Sequence, residues 1–193
     1  MGIRTEMNTI QTRTIEEKDK DWIIATIQKE WGANFVVAHG NRLFPIEYPG
    51  FIAIEGDTRI GLITYQIKRL SWSATRKPWK KPWKKQCEII TINSIKENKG
   101  AGKALINSVL SKAKASNCSR IWLITTNDNI RALHFFQKNH FIREEKLESS
   151  FRFVALYRNA LKRSRKLKPS IPMENKLNNI PIRDEIELEI ELK

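Results

Sequence analysis

Two buried strands and an amphipathic helix between them are the clearest pattern along this chain. The apolar runs from Cys87 to Ile95 and from Ser119 to Thr126 each have the length and composition of a buried strand. Between them, apolar residues recur at the three- and four-residue spacing of a helix. These helical positions are Leu105, Ile106, Val109, Leu110 and Ala113. The order strand, helix, strand predicts two parallel strands joined by a crossover helix.

The pattern before this unit predicts further strands and one helix. Residues 9–13 alternate like a first strand, and residues 15–31 have a helical apolar face. That face consists of Ile23, Ile24, Ile27 and Trp31. Residues 32–50 are irregular, whereas residues 51–55 and 60–68 predict two strands that turn at a Gly-Asp pair. We expect a meander that leads into the strand at Cys87.

The pattern after the unit predicts two helices and a last strand. A helix begins after an N-cap at Asn127, Asp128 or Asn129. Its apolar face consists of Ala132, Leu133, Phe135 and Phe136. Residues 159–168 predict a short basic helix, and residues 186–192 alternate apolar residues with glutamates, as in a half-buried strand. The opposite charges of this helix and this strand allow an intramolecular pairing that contributes little for each surface pair.

Glycines mark the junction between the strand at Cys87 and its helix. Gly100 and Gly102 flank Ala101, and such a turn lets amide N–H groups at a helix start point at a phosphate without an intervening Cβ. The two commonest phosphate loops, GxxxxGK[ST] and GxGxxG, are not matched. The residues alone leave open both a phosphate site and a glycine-rich turn without a ligand.

Composition and charge narrow the classes of protein and partner. A chain of 193 residues predicts one domain, residues 1–193, and a net charge of +14 favours anionic partners such as phosphate-bearing ligands, nucleic acid or acidic membranes. Two cysteines form neither a disulfide framework nor a metal motif, and three scattered histidines predict no metal site. No window predicts a membrane span, and we expect a cytoplasmic protein.

An inserted loop at residues 71–85 has its own composition, SWSATRKPWKKPWKK. It contains six basic residues and three tryptophans without an acid, and its prolines exclude a helix interior or a central strand. Tryptophan beside lysine can stack on nucleic-acid bases or lie at a lipid interface. The alternative is a solvated loop with one tryptophan packed on the body. A functional loop would recruit an anionic partner rather than perform chemistry.

Two motifs in this order resemble a known superfamily. KGAGKAL after a strand, and NIRALHFFQKNHF after the next strand, resemble motifs A and B of the GNAT N-acetyltransferases, which bind acetyl-CoA. The resemblance covers residues 9–192, and IPIRDEIELE near the end resembles a bacterial subgroup with a helix inserted before the last strand. It implies an α/β (α+β) GNAT fold, with a mixed, mostly antiparallel sheet of six to seven strands that splays at the cofactor groove and is flanked by helices.

The resemblance also implies where the cofactor lies. The CoA pyrophosphate would lie on the backbone N–H groups of residues 98–103, and the pantetheine would follow the strand end, where the N–H of Ile92 or Asn93 would stabilise the oxyanion. The cofactor-binding residues are expected to be Ile92, Asn93, Asn98, Lys99, Gly100, Ala101, Gly102, Lys103, Asn129 and Phe136. Asn129 is equally expected as a simple N-cap, and Glu97 puts an acid where the family usually has Gln or Arg.

The acceptor side is expected to contain a general base. By resemblance, the acceptor pocket is lined by Trp31, Val37, His39 and Phe44, although these residues could equally be core. Glu88 is the candidate base, because it is expected on the same pleat as Ile90 and Ile92, where apolar neighbours raise the pKa of a carboxyl. The alternative places Glu88 at an exposed strand start. Phe136 replaces the Tyr that commonly protonates the leaving thiolate in the family.

The function expected from these residues is acetyl-CoA-dependent N-acetyl transfer to a primary amine of a small molecule, peptide or protein. One alternative is a catalytically weak acyl-CoA-binding protein, because Phe136 cannot donate a proton. The other is a nucleic-acid-associated protein that uses the loop at residues 71–85. The expected partners are acetyl-CoA and an amine acceptor, without a metal, and the chain is expected to be a monomer or a homodimer.

Overall fold

The structure is a computed structural model that describes residues 9–69, 85–96, 99–139, 141–144 and 147–192, with the backbone alone for residues 142–144 and 147–149. The loop predicted at residues 71–85 therefore lies outside the described residues except for Lys85. Glu97, Asn98 and His140 lie outside them as well.

The described elements follow the predicted order of strands and helices. The first half contains β1 (Gln11–Thr14), α1 (Lys20–Trp31), β2 (Val36–Ala38), β3 (Asn41–Leu43), β4 (Gly50–Glu55), β5 (Thr58–Arg69) and β6 (Lys85–Ser94). The second half contains α2 (Ala101–Ala115), β7 (Cys118–Thr126), α3 (Ile130–Lys138), β8 (Ile142–Glu144), β9 (Leu147–Ser149), β10 (Arg152–Tyr157), α4 (Ala160–Leu167) and β11 (Glu185–Glu191). Short 3₁₀ turns lie at Glu17–Asp19 and Pro45–Glu47.

Seven strands form one mixed sheet in the order β1-β4-β5-β6-β7-β11-β10. Every neighbouring pair is antiparallel except β6 and β7, which are parallel and joined through α2. The parallel pairing ends at Ile89 and Leu123, although β6 continues to Ser94 and β7 to Thr126. The two strands therefore splay apart beyond Ile89. This confirms the predicted mixed, mostly antiparallel fold.

The main core lies between the sheet and α2. Leu105, Ile106 and Val109 of α2 are fully buried against Ile121 of β7 and Leu188 of β11. Burial of each such side chain contributes about 2 kcal/mol to the stability of the fold. Both cysteines are free and buried, Cys87 beside this cluster in β6 and Cys118 at the start of β7.

A second, smaller core lies under α1. Ile23 and Ile27 pack against Ile52 of β4 and Leu62 of β5. Two other residues predicted on this apolar face lie outside it: Ile24 is 39% exposed and Trp31 is 41% exposed. Ile24 directly follows the buried Ile23 and points away from the sheet, whereas Trp31 is the last residue of α1 and contacts Asn93 of β6 instead of this core. The predicted face was therefore too wide.

A β-bulge in β6 changes the face of the sheet to which the following side chains point. Thr91 pairs with Thr64 and Ile89 pairs with Tyr65, which leaves Ile90 as the extra residue. Ile92 consequently packs against the main core, on the same side of the sheet as Ile89. Glu88 points to the opposite side. The prediction that Glu88 and Ile92 share one pleat was therefore wrong, because it assumed unbroken alternation.

Three glutamates of β11 are buried, because this strand lies inside the sheet between β7 and β10: Glu185, Glu187 and Glu189. Glu191, at the end of the strand, is exposed. Arg120 of β7 donates to both Glu187 and Glu189 at 2.7 Å. Arg152 of β10 also donates to Glu189 at 2.7 Å. Among the described residues, the acid row is thus paired with arginines of neighbouring strands rather than with the basic side chains of α4. The prediction that the acid row of β11 pairs with the basic side chains of α4 was therefore wrong about the partner.

Candidate active site

The two glycines at the start of α2 meet two different requirements. Gly100 is the N-cap and has φ of 86°, a left-handed conformation that favours glycine. Gly102 lies inside the helix, where an added Cβ would be 2.9 Å from Cζ of Phe135. Gly102 therefore allows α2 and α3 to approach each other. The predicted turn depends on Gly100 alone.

The N-terminus of α2 presents free donors and positive charge. The first helical hydrogen bond runs from the Ala104 N–H to the Gly100 carbonyl at 3.0 Å, so the amides of residues 101–103 have no partner within the helix. No acidic residue lies in the first turn, and Lys99 and Lys103 are exposed. A helix N-terminus of this kind attracts anions such as phosphate.

The end of β6 that splays from β7 is connected to α1 by a side chain on the α1 side of the sheet. Asn93 is 8% exposed, and its Oδ1 accepts a bond of 3.5 Å from Nε1 of Trp31. Thr91 and Thr64 share a hydroxyl hydrogen bond of 2.9 Å on the same side. The structure thus brings Trp31 to Asn93, whereas Ile92 faces the core.

The start of α3 confirms the N-cap expected of Asn129. Its Oδ1 accepts from the Ala132 N–H at 3.2 Å. Phe136, on the next turns of α3, is 3% exposed and packs edge-on against Phe135 and Phe151, each at 5.2 Å between ring centroids. The contacts of Asn129 and Phe136 with a cofactor stay predictions.

Glu88 is a buried carboxylate on the side of the sheet opposite the main core. Only 8% of the residue is exposed, so the prediction of apolar or buried surroundings describes it better than an exposed strand start. Its Oε2 accepts from Nε2 of Gln66 at 2.6 Å, and its Oε1 lies 3.9 Å from Nε2 of His39. Burial raises the pKa of Glu88, and the hydrogen bond from Gln66 offsets part of that effect.

His39 lies at the tip of the β2–β3 hairpin and reaches the carboxylate across the sheet. Its ring centroid is 5.4 Å from that of Trp122 on β7 and 5.8 Å from that of Tyr157 on β10. Its backbone N–H donates to Oε2 of Glu185 at 3.2 Å. Three aromatic rings and two carboxylates therefore surround one small region beside the splay.

The remaining residues predicted for the acceptor pocket lie farther along the hairpin. Phe44 packs against Phe35 with 5.7 Å between ring centroids, and Val37 is half-buried. Arg42 anchors the hairpin on α4 by donating to the Leu167 carbonyl at 2.8 Å. Of the predicted set, the structure brings His39 to Glu88 and Trp31 to Asn93, and it does not show such a contact for Val37 or Phe44.

Comparison with protein families shows which class of protein has this arrangement of residues. The model of the acetyltransferase (GNAT) family matches residues 15–141, which include β6, the glycines of α2 and the start of α3. This chain belongs to the GNAT acetyltransferase family. Membership supports acyl transfer from acetyl-CoA.

Two proteins of Bacillus subtilis (strain 168) are similar to this GNAT protein along most of their length. YdhI, an uncharacterized protein, is 40% identical over 159 residues, which cover 82% of this chain and 83% of YdhI. YxbD, also uncharacterized, is 36% identical over 188 residues, which cover 97% of this chain and all (100%) of YxbD. The crystal structure of Arabidopsis thaliana NAA60 in complex with acetyl-CoA has the same fold, with a TM-score of 0.63 at 16% identity, over 95% of this chain and 100% of that chain.

Sequence reasoning missed several residues of this GNAT site. Gln66 and Trp122 meet Glu88 and His39 only because β5 and β7 flank β6 in the sheet. The hydroxyl of Tyr157 donates a hydrogen bond to Glu187. Burial together with this hydrogen bond raises the pKa of Tyr157 to about 12. The alternation of Gln66 with apolar residues along β5 was the one signal available, since it marks a polar side chain on the face opposite the core.

The described residues contain neither a metal site nor a membrane helix. No group of three or more His, Cys, Asp or Glu side chains within them could hold a metal ion. No helix among them has the length and apolar character needed to cross a membrane.

Proposed function

We propose that this protein is an acetyl-CoA-dependent N-acetyltransferase whose acceptor is a primary amine of a small molecule, peptide or protein. The observation that carries the proposal is Glu88, a buried carboxylate with a raised pKa beside the point where β6 and β7 splay. The anion-attracting N-terminus of α2 follows directly after β6. A phosphate-bearing ligand and a proton acceptor can therefore serve one reaction.

The cofactor would be held mainly by backbone. The amides of residues 98–103, with Lys99 and Lys103, would bind the pyrophosphate, and the strand end at Ile92 and Asn93 would bind the pantetheine. Further contacts are proposed for Gly100, Ala101, Gly102, Asn129 and Phe136. When bound, acetyl-CoA supplies the reactive thioester. The Asn93 N–H would donate to the oxygen that becomes negative during acyl transfer.

Glu88 would remove the proton that keeps the acceptor amine unreactive. An amine with a pKa near 10.4, like that of lysine, is almost wholly protonated at neutral pH. A buried carboxylate with a raised pKa binds this proton better than an exposed carboxylate. Trp31, Val37, His39 and Phe44 would line the acceptor pocket on the same side of the sheet as Glu88.

The leaving thiolate would be protonated by water. Phe136 has no proton to donate, and Tyr157 is held by Glu187 with its pKa raised to about 12. A thiolate with an ordinary pKa near 8.5 is a fair leaving group without an acid. Phe136 also supports the second candidate function, a GNAT protein that binds acyl-CoA and turns it over slowly.

The test compares two charge reversals at opposite ends of α2. Lys103→Glu puts an acid in the first turn, which favours the helix dipole but repels phosphates. Lys112→Glu makes the same change of charge in the last turn, which contains Lys112 and Lys114. We expect Lys103→Glu to weaken acetyl-CoA binding at least about tenfold, equivalent to 1.4 kcal/mol, and Lys112→Glu to leave it unchanged. Calorimetry measures binding, and a thiol reagent measures CoA release over a panel of amines.

The outcomes separate the candidate functions. Binding that only Lys103→Glu weakens, together with CoA release for at least one amine, supports the N-acetyltransferase. Binding without release for any amine favours slow or absent turnover. If the wild-type protein does not bind acetyl-CoA, the proposed function is wrong.

A further inference from the structure

The turn that carries His39 has a left-handed backbone conformation, which is uncommon for a residue other than glycine. His39 has φ of 53° and Gly40 has φ of 68°, so both residues of the turn between β2 and β3 are left-handed. Two-residue hairpin turns of this type are usually formed by Asn, Asp or Gly. A larger residue there costs about 1 kcal/mol. Such strain persists where the surrounding structure holds it, and it is concentrated at functional sites.

Contacts on every side fix the orientation of this histidine. Glu185 accepts from its backbone N–H, and Nδ2 of Asn41 donates to its carbonyl, each at 3.2 Å. Its ring lies near those of Trp122 and Tyr157. The imidazole is therefore held in place rather than free in solvent. Its Nε2 is buried and has no hydrogen-bond partner among the described residues.

The gap between Nε2 of His39 and Oε1 of Glu88 is close to the size that a shared donor needs. At 3.9 Å it is too long for a direct hydrogen bond. A tetrahedral nitrogen that donates two hydrogen bonds of about 2.8 Å holds its two acceptors about 4.6 Å apart, so the two side chains would open by less than about 1 Å to bind one. An alkylammonium group has three such N–H donors. Neutral imidazole and carboxylate are both acceptors, so the pair can bind one ammonium group from two sides.

We propose that His39 and Glu88 together bind the ammonium group of the acceptor, so that His39 orients the group whose proton Glu88 takes. This inference rests on the proposed function and assigns His39 a catalytic role beyond lining the pocket. An N–H bond of the ammonium breaks and an O–H bond of Glu88 forms, which leaves a neutral amine held by Nε2 of His39. The amine nitrogen then bonds to the acyl carbon as the carbon–sulfur bond breaks, and the sulfur leaves with the electron pair of that bond.

The charges around these two acceptors leave Glu88 without an arginine or lysine partner among the described residues. Glu88 faces His39 from β6, and Glu185 binds the backbone of His39 from β11. Glu187 of β11 is already engaged by Arg120 and by the hydroxyl of Tyr157 from β10. Gln66 of β5 is neutral and bonded to Glu88. The nearby arginine is thus neutralised, and the carboxylate of Glu88 is available to a cationic ligand.

The experiment removes the imidazole without disturbing the turn. His39→Gly suits the left-handed conformation and leaves space for a free imidazole molecule, whereas His39→Asn suits the same conformation and fills part of that space. His134→Gln, at an exposed position of α3, is the control for the loss of a histidine. CoA release is measured at saturating amine, with and without added imidazole, and the release seen without amine is subtracted. Acetyl-CoA binding is measured separately by calorimetry.

We expect kcat to fall about 100-fold in both His39 variants, with the Kd for acetyl-CoA and the thermal unfolding midpoint close to wild type. Added imidazole should raise kcat of His39→Gly in a saturable manner and leave His39→Asn and His134→Gln unchanged. Wild-type kcat in His39→Asn, or a His39→Gly variant that imidazole does not raise, overturns the role of His39. If the wild-type protein itself releases no CoA with any amine, the proposed function fails instead.

Discussion

Asp19 and Glu88 are both buried carboxylates, and they differ in how far neighbouring groups compensate their charge. Asp19 is fully buried (0% exposed) and accepts from Arg13 at 2.6 and 2.8 Å, from Arg59 at 3.1 Å and from the Glu16 N–H at 2.9 Å. Glu88 is almost as buried, yet it accepts a single described hydrogen bond from the neutral amide of Gln66. The pKa of Asp19 is lowered, chiefly by its bond to Arg13, whereas burial raises that of Glu88.

This difference separates a structural carboxylate from the one that we propose to be functional. Asp19 closes the start of α1 against β1 and β5 with its charge fully compensated. Glu88 retains a buried charge without a compensating arginine or lysine within salt-bridge distance in the described part of the chain, an arrangement that reduces stability unless a cationic ligand is bound. A cation that arrives with the acceptor would supply what Arg13 and Arg59 supply to Asp19.

The largest effect is expected when the functional carboxylate is neutralised. Glu88→Gln keeps the size of the side chain and removes the proton acceptor. We expect kcat/KM for an amine to fall about 100-fold or more, with the Kd for acetyl-CoA unchanged. Thiol release and calorimetry measure the two quantities. An enzyme that keeps its turnover after this change does not use Glu88 as a base.

The matched change at the structural carboxylate should affect stability instead. Asp19→Asn leaves Arg13 and Arg59 without their anion, and we expect the free energy of unfolding to fall by about 3 kcal/mol. This is the lower end of the usual range, because the two arginines are 26% and 33% exposed and can be rehydrated. Denaturant unfolding measures the loss. The folded variant should retain wild-type kcat, and a parallel loss of kcat would contradict the division between the two carboxylates.

The two carboxylates should give stability opposite dependences on pH. The lowered pKa of Asp19 contributes stability that is present above the unfolded value near 3.9 and is lost as the pH falls through the folded value. The raised pKa of Glu88 makes the folded state bind the extra proton, so its destabilising effect grows as the pH rises through the window above about 4.3. We expect Glu88→Gln to be more stable than wild type at pH 7 and equal to it near pH 4.

Unfolding curves of wild type, Asp19→Asn and Glu88→Gln at several pH values test this expectation. The difference between wild type and Asp19→Asn should shrink only below about pH 4. A Glu88→Gln variant that is less stable than wild type at pH 7 would show that the carboxylate of Glu88 is compensated after all.

The smallest effect concerns the neutral partner of Glu88. Gln66→Leu removes the hydrogen bond that favours the charged carboxylate, so the pKa of Glu88 should rise further. A hydrogen bond worth about 1 kcal/mol corresponds to a shift of less than one pKa unit. The acid limb of the kcat/KM profile for the amine should move to higher pH by that amount. Gln66→Glu, which adds a like charge, should move it in the same direction and farther.

The elements with strong periodicity were predictable from the sequence. The strands around Cys87 and Ser119, the helix after Gly100 and the cap at Asn129 all follow from local patterns that need no partner to be recognised. The sequence left burial of Glu88 among apolar neighbours and an exposed strand start equally open, and the structure decides for burial. The resemblance of KGAGKAL and NIRALHFF to GNAT motifs supplied the mixed, mostly antiparallel sheet of six to seven strands that periodicity alone leaves undetermined.

The acceptor side depends on contacts between distant segments, and the sequence does not encode these in a local pattern. The strands β2 and β3 have three residues each, too few to show a period, so the hairpin that carries His39 was expected to be irregular. The bulge at Ile90 lies in a run without glycine or proline. The glutamates of β11 have the pattern of a solvent-facing row, and only the presence of Arg120 and Arg152 on neighbouring strands explains their burial.

The splay of β6 and β7 also makes ligand occupancy observable through the backbone itself. Beyond Ile89 and Leu123, the two strands no longer share hydrogen bonds, so the amides of residues 90–94 that point away from β5 lack a strand partner. Such amides exchange their hydrogens with deuterated water quickly, in contrast to those of the paired half of the same strand. Deuterium uptake along β6 would therefore report when the groove is filled, in a sample that contains no acceptor and undergoes no reaction.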